Sequence, residues 1–205
     1  MAKPTFRAIG ATTYLSPLPV VLLGCADPQN GLSPNLITIG WTGIVCSKPP
    51  MLTVSIRKER YSHDIVARTG EFSVNLCGED MVKAVDFCGV KSGRDLDKFA
   101  ATGLTAIPAE PLAVAPAVAQ APAYLSCKVE SVTELGTHDM FLASIVDVHV
   151  RDEFFTPSGA IDERAMKLVG YVHGQYRALA GEIGFFGFSV ASPEALKRRE
   201  KRGNR

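Results

Sequence analysis

The sequence predicts a mainly β chain with short helices, folded as a small antiparallel barrel. Three observations carry that prediction. Apolar runs are short and either apolar throughout, as in Val20-Val21-Leu22-Leu23-Gly24-Cys25, or alternate with period two, as over 51–57. Tight-turn signals such as Asn30-Gly31 and Gly136-Thr137 separate them and favour antiparallel neighbours. Helical spacing occurs only in brief stretches, and no internal repeat is present.

In chain order, 12–14 and 20–26 read as the first strands. Asp27-Pro28-Gln29-Asn30-Gly31 is a turn, and 36–39 is a strand forming a hairpin with 20–26. Gly40 and Gly43 break the ladder around Trp41. Pro49-Pro50 cannot donate ladder hydrogen bonds, so it ends one element and starts another. The strand 51–57 puts Leu52, Val54 and Ile56 on one face and Thr53, Ser55 and Arg57 on the other. Ser62 is read as the N-cap of a short helix over 64–68 that Thr69-Gly70 stops.

A strand over 71–76 follows, then a helix over 79–87 with Met81, Val82 and Val85 toward the core. Residues 91–99 form a polar loop entering a short helix. The Ala/Pro-rich stretch 107–123 is extended and is expected to cross a surface or a subunit interface. Two long strands, 124–135 and 140–151, are joined by the turn Gly136-Thr137-His138-Asp139. Residues 153–163 form a loop, 167–176 a last strand or arm, and 181–188 a glycine-rich aromatic stretch. The expected organisation is one domain over 1–190 and a basic tail over 191–205.

Composition excludes several classes. Hydrophobic content of 46%, charged content of 21% and a net charge of +1 describe an ordinary globular chain with no bulk field for nucleic acid or an anionic membrane. The basic run from Lys197 to Arg202 reads as a solvated helix end or tail. No apolar run reaches the roughly 18–20 residues of a membrane span, and the start lacks the apolar core of a signal peptide, so a cytoplasmic protein is expected. The five cysteines are widely spaced and form no C-x-x-C pair, which argues against a disulfide framework and a zinc site. Four of them read as buried thiols, with Cys46 set apart by its place in the central stretch.

That central stretch, 35–62, holds the chemistry. Arg57, Lys58 and Arg60 precede a helix start, where free N–H groups and a partial positive charge suit an anion. On charge alone the cluster equally fits a solvated turn ending a strand. Trp41, the only tryptophan, lies among Thr38, Gly40, Thr42 and Gly43, where glycine permits close backbone approach of a ring. Taken alone, it equally fits a core tryptophan on a kinked strand. Together the two sets suit a flat aromatic ring with a phosphate tail. There is no G-x-G-x-x-G, no G-x-x-x-x-G-K-[ST] and no H-E-x-x-H. Among the histidines, His149 reads as a sheet residue, His138 sits on a turn, and His63 frames the helix start. No nucleophile–base pair is arguable from spacing.

Asn35-x-x-Thr38-x-x-Trp41-Thr42-Gly43, Pro49-Pro50, Ser55-Ile56-Arg57-x-x-Arg60-Tyr61-Ser62 and Glu71-Phe72-Ser73-Val74-Asn75-Leu76 together resemble the flavin reductase-like family, with the flavoredoxin pattern the nearest. Gly136-Thr137-His138, the segment from Ser92 to Phe99 and Tyr176-x-x-Leu179 fit the same likeness. The resemblance implies a homodimeric split β-barrel that binds FMN non-covalently. It places Asn35, Trp41, Thr42 and Gly43 along the ring and ribityl chain. It places Ser55, Ile56, Arg57, Arg60, Tyr61 and Ser62 along the ribityl chain and phosphate, and His138 near the nicotinamide face. Ser92 and Lys98 are weaker candidates from the same likeness, which has them reach a flavin from the partner subunit. It implies NAD(P)H or a small redox protein as electron donor and needs no catalytic side chain or metal, the flavin carrying the chemistry. Where many members carry small residues this chain has Trp41-Thr42-Gly43, which narrows the room for a second stacked ring. An FMN-carrying electron-transfer module without NAD(P)H oxidase activity is the alternative. A barrel holding another phosphorylated aromatic, such as pyridoxal phosphate, uses the same parts, although the central stretch offers no obvious Schiff-base lysine.

Overall fold

The computed structural model describes residues 3–179 and 181–194. The elements are β1 (Leu18–Pro19), β2 (Val21–Asp27), β3 (Leu32–Ile39), β4 (Thr42–Ser47), β5 (Pro50–Arg57), α1 (Tyr61–Thr69), β6 (Glu71–Leu76), α2 (Val82–Val90), α3 (Lys98–Thr102), β7 (Ala106–Pro108), β8 (Pro116–Val118), β9 (Ala123–Glu134), β10 (His138–Val150), β11 (Val169–Val172) and β12 (Gln175–Ala178). A seven-stranded sheet in the order β3-β2-β6-β9-β10-β5-β4 forms the body, and its pairings are antiparallel. The sheet curls until β3 lies beside β5. This is the split β-barrel expected from the sequence.

Every residue of β2 is buried, because both of its faces are covered. Leu23 and Cys25 point into the barrel with Ile37, Leu52, Val54, Ile56, Phe72 and Phe141, and α1 seals that interior with Ile65 and Val66. Leu22 points the other way, into a second cluster with Leu36, Met81, Val85, Cys88 and Phe99 beneath α2 and α3. The strand therefore reads as an unbroken apolar run rather than an alternating one. In β5, Leu52, Val54 and Ile56 are buried while Thr53, Ser55 and Arg57 are not, as the alternation predicts.

Several expectations are corrected. Residues 12–14 are not a strand: they find no sheet partner, and Tyr14 instead stacks on His173 at 4.1 Å. The ladder breaks at Gly40-Trp41 and not at Gly43, which lies within β4, paired with Thr53. Ser62 does not cap α1. The helix starts at Tyr61 with Arg60 at its N-cap, and the buried Ser62 hydroxyl accepts a 2.8 Å hydrogen bond from Asn35 Nδ2. The stop at Gly70 is as expected, in the left-handed region at φ 68. The last strand is a hairpin, β11–β12, turned by His173 and Gly174 at φ 42 and 82, both positive as a two-residue type I′ turn requires.

The Ala/Pro stretch folds back on its own chain. β7 and β8 pair, and Ala109, Leu112, Ala115 and Ala117 bury together. Glu71, itself buried, accepts hydrogen bonds from the Ala113, Val114 and Ala115 amides at 3.1, 2.5 and 2.9 Å. A stretch that propensity leaves extended is thus fixed by one carboxylate 40-odd positions away in sequence. The basic run from Lys197 to Arg202 lies outside the described residues. Cys25, Cys77, Cys88 and Cys127 are buried thiols, and Cys46 is half-buried on β4. Among the described residues no helix is long and apolar enough to cross a membrane, and no cluster of metal-ligating side chains is found.

Candidate functional site

The alternation of β5 decides where the site lies. Ser55 and Arg57 face away from the barrel interior, and the next turn delivers Arg60 and then the start of α1. The backbone N–H of Ser55 donates to the Trp41 carbonyl at 2.9 Å, which fixes the Gly40-Trp41 break against β5. Beside this junction runs a cleft of about 380 Å³, lined by Thr38, Gly40, Trp41, Ser55, Arg57, Arg60 and His138 and walled opposite by Asp86, Gly89, Val90, Tyr171 and Tyr176. A second hollow of about 340 Å³ shares Ile37, Arg57 and Arg60 with it and is lined by Tyr61, Ser62, Lys91, Ser92, Gly93, Arg94 and Lys98.

The hollow is cationic for structural reasons. Arg57, half-exposed, touches Glu59 at 3.1 Å; Arg60 donates to the Gly89 carbonyl at 3.0 Å. Arg94 donates to the Glu59 carbonyl at 3.0 Å and lies over the Tyr61 ring at 5.5 Å. Lys98 is buried and donates to the Leu36 and Cys88 carbonyls at 2.7 and 2.8 Å, and burial pushes its amine below the usual lysine range. The α1 N-cap has no side-chain acceptor; of the first-turn amides, His63 N–H donates to the Arg60 carbonyl at 3.0 Å, which leaves those of Tyr61 and Ser62 for a ligand. A helix N-terminus beside two arginines is a fitting donor set for a phosphate.

The expected site residues fall into two groups. Trp41, Ser55, Ile56, Arg57, Arg60 and His138 line the cleft, and Arg57, Arg60, Tyr61 and Ser62 line the hollow. Ile56 does so through its backbone, since its side chain is buried in the barrel core. Asn35 is buried beneath, holding Ser62 and lying 4.0 Å from the Cys25 sulfur. Thr42 and Gly43 line neither space: both lie on β4, and Thr42 Oγ1 donates to the Thr53 carbonyl at 2.7 Å. The weaker candidates Ser92 and Lys98, expected to reach across from a partner subunit, line the hollow of their own chain.

Sequence reasoning assigned no role to the opposite wall. Tyr176 donates to Asp86 at 3.1 Å, and burial together with that carboxylate pushes its phenol up to about 12, so it stays protonated at neutral pH. Tyr171 meets Tyr176 edge-on at 5.5 Å. The only sequence signal was Tyr176-x-x-Leu179, which marked the likeness without a function. Gly93 was also missed. A Cβ there would run into the Asn35 carboxamide and come within 2.7 Å of the Tyr61 ring, so only glycine lets the 91–97 loop close over the hollow.

The family model described as "Flavin reductase like domain" matches residues 13–180. The chain belongs to this family. Among solved structures, this flavin reductase-like protein is similar to flavoredoxin of Desulfovibrio vulgaris (Miyazaki F), with a TM-score of 0.82, 30% identity, and coverage of 91% of this chain and 99% of that one. It is also similar to flavoredoxin from Methanosarcina acetivorans, with a TM-score of 0.79, 28% identity, and coverage of 93% and 100%. Among curated relatives, FMN reductase (NADH) RutF of Pseudomonas syringae pv. syringae is 30% identical over 156 residues, 67% of this chain and 83% of that one. Flavin binding and flavin-linked electron transfer are what the family brings to this fold.

Proposed function

We propose that the chain is an FMN-binding oxidoreductase that moves electrons between NAD(P)H or a small redox protein and a flavin or other acceptor. One observation carries the reading: the positive end of α1 meets Arg57 and Arg60 where the cationic hollow opens into the Trp41–His138 cleft. The donor set fits a phosphate, and the cleft fits a flat ring system. Arg57 and Arg60 hold the phosphate with the first-turn amides of α1, and Ser55 hydrogen-bonds the ribityl chain. Trp41 and the Gly40 backbone border the ring. When bound, FMN supplies hydride and single-electron chemistry. The protein's part is to orient the ring, to place donors near its carbonyl edge, and to exclude water on the Tyr171–Tyr176 side. His138 stands at the open face, where a nicotinamide is received.

The purified chain is expected to be yellow and to release intact FMN on denaturation. A colourless protein that cannot be reconstituted with FMN overturns the reading. Stopped-flow mixing of the FMN-loaded protein with NADH and with NADPH is expected to bleach the flavin with at least one of them. The flavoredoxin likeness and the bulk of Trp41 at the cleft mouth favour a second reading, a carrier that accepts electrons from a redox protein. Absence of bleaching with either nucleotide selects it.

A second copy of the chain is part of the proposal. Ile44 and Val45 on the edge strand β4 are 65% and 54% exposed, and Ile183 and Phe186 are fully exposed, more apolar surface than one barrel covers by itself.

A further inference from the structure

His63 on α1 lines neither the cleft nor the hollow, and its surroundings are unusual for a histidine. Its side chain is 13% exposed, and both ring nitrogens meet carboxylates: Nδ1 lies 2.9 Å from Asp64 Oδ1 and Nε2 lies 2.8 Å from Asp139 Oδ2. Phe141 packs edge-on against the ring at 5.5 Å. An ionised carboxylate only accepts hydrogen bonds, so satisfying both needs a proton on each nitrogen. The neutral ring satisfies one and turns a lone pair toward the other.

The acid on β10 depends on this arrangement. Asp139 has a 10% exposed side chain, and its Oδ1 is buried without a hydrogen bond. Lys58 Nζ stands 3.3 Å from that oxygen but also bonds Glu134 of β9 at 2.8 Å. Burial works against the Asp139 charge, but His63 and Lys58 outweigh it and hold its carboxyl below the usual range. The charged groups around the ring are thus Asp64 on its own helix, Asp139 on β10, Lys58 from the turn before α1, and Glu134 beyond Lys58.

These bonds tie the third residue of α1 to the second residue of β10. The preceding residue on α1 is Ser62, at the hollow, and the preceding residue on β10 is His138, at the cleft. We propose that His63 is a positioning residue whose doubly protonated ring, clamped between Asp64 and Asp139, holds the start of α1 in place for the cofactor phosphate. The proposal rests on the reading that this helix end receives that phosphate. Cofactor affinity then falls as pH rises through the His63 titration. The phosphate's own second ionisation, near pH 6, acts in the opposite direction, since a dianion binds a cationic site more tightly.

The test measures FMN dissociation constants by fluorescence between pH 5 and 9 for the full chain and for His63→Gln, Asp64→Asn and, as a control outside both spaces, His149→Gln. Proton NMR follows the His63 ring, assigned by its loss in His63→Gln. The wild type and His149→Gln are expected to lose about tenfold in affinity with a midpoint matching the His63 titration. His63→Gln and Asp64→Asn, the latter at a half-exposed position, are expected to lack that step. A wild-type step that persists unchanged in both variants overturns the proposal, as does a midpoint that departs from the His63 titration. If no form binds FMN at any pH, the cofactor reading fails separately. Hydrogen exchange of the first-turn amides of α1 then decides the clamp. Exchange rising above its intrinsic pH dependence in wild type but not in Asp64→Asn supports it, and identical profiles overturn it.

Discussion

Arg57 and Arg60 stand beside the same helix end but are held differently. Arg60 is committed to the Gly89 carbonyl of α2, whereas Arg57 has only an exposed contact with Glu59. Arg57 therefore has the donors to spare for a phosphate, and its removal costs little structure. Arg57→Ala is predicted to weaken FMN by about 10- to 100-fold, the range of roughly 1.5–3 kcal/mol for a hydrogen bond to a charged group, while riboflavin loses little. Equal losses for both ligands, measured by fluorescence titration, place the phosphate elsewhere. Asp139 gives a prediction of opposite character. Its folded carboxyl is held below the usual range, so its contribution to stability is complete at neutral pH and is lost as pH falls through that lowered value. Urea unfolding of the wild type at pH 7 and pH 3 is expected to show more acid sensitivity than Asp139→Asn, which no longer takes up that proton. Identical acid losses would falsify the assignment.

At the scale of elements, two contacts hold pieces that propensity leaves free. Glu71 collects three amides from the loop between β7 and β8. Glu71→Ala is predicted to destabilise by about 3 kcal/mol, since each buried donor left unpaired costs roughly 1–3 kcal/mol, partly relieved by water. Glu71→Gln keeps one good acceptor and is expected to lose less; urea midpoints at constant slope check both. Gly93 closes the 91–97 loop over the hollow. Gly93→Ala is predicted to push that loop off Asn35 and Tyr61, weakening FMN about tenfold with a smaller change in unfolding midpoint. Unchanged FMN affinity removes the loop from the site. The same scale shows why Ser62 misled. Its type suits an N-cap, but the β5–α1 turn is short enough that the helix has already begun, and the hydroxyl serves as a buried acceptor for Asn35.

For the whole molecule, the prediction concerns assembly. The Ala/Pro stretch, first expected to run across a surface or a subunit interface, is buried in its own chain and no longer argues for a dimer. The argument now stands on β4 and on 183–190, where Phe186 is fully exposed and Val190 is 87% exposed. Light scattering at micromolar concentration is expected to give twice the chain mass. A monomer there removes the second copy from the proposal.

The sequence by itself determined what has a local period or a local stereochemical demand. The alternation of 51–57 placed Ser55 and Arg57 on one face, Gly70 ended α1 in the left-handed region, and the signals at Asn30-Gly31 and Gly136 separated antiparallel strands. From these came the barrel, the arginines and their place beside a helix start. Only the tertiary structure decided what depends on closure. It made an edge strand of 42–47, brought β11–β12 across from residue 169 onward to wall the cleft, buried Asn35 under Ser62, and joined His63 to Asp139 across 76 positions. Periodicity is written in neighbours a few residues apart. A wall or clamp made from segments far apart in sequence exists only once the sheet has curled and its hydrogen bonds have set the register.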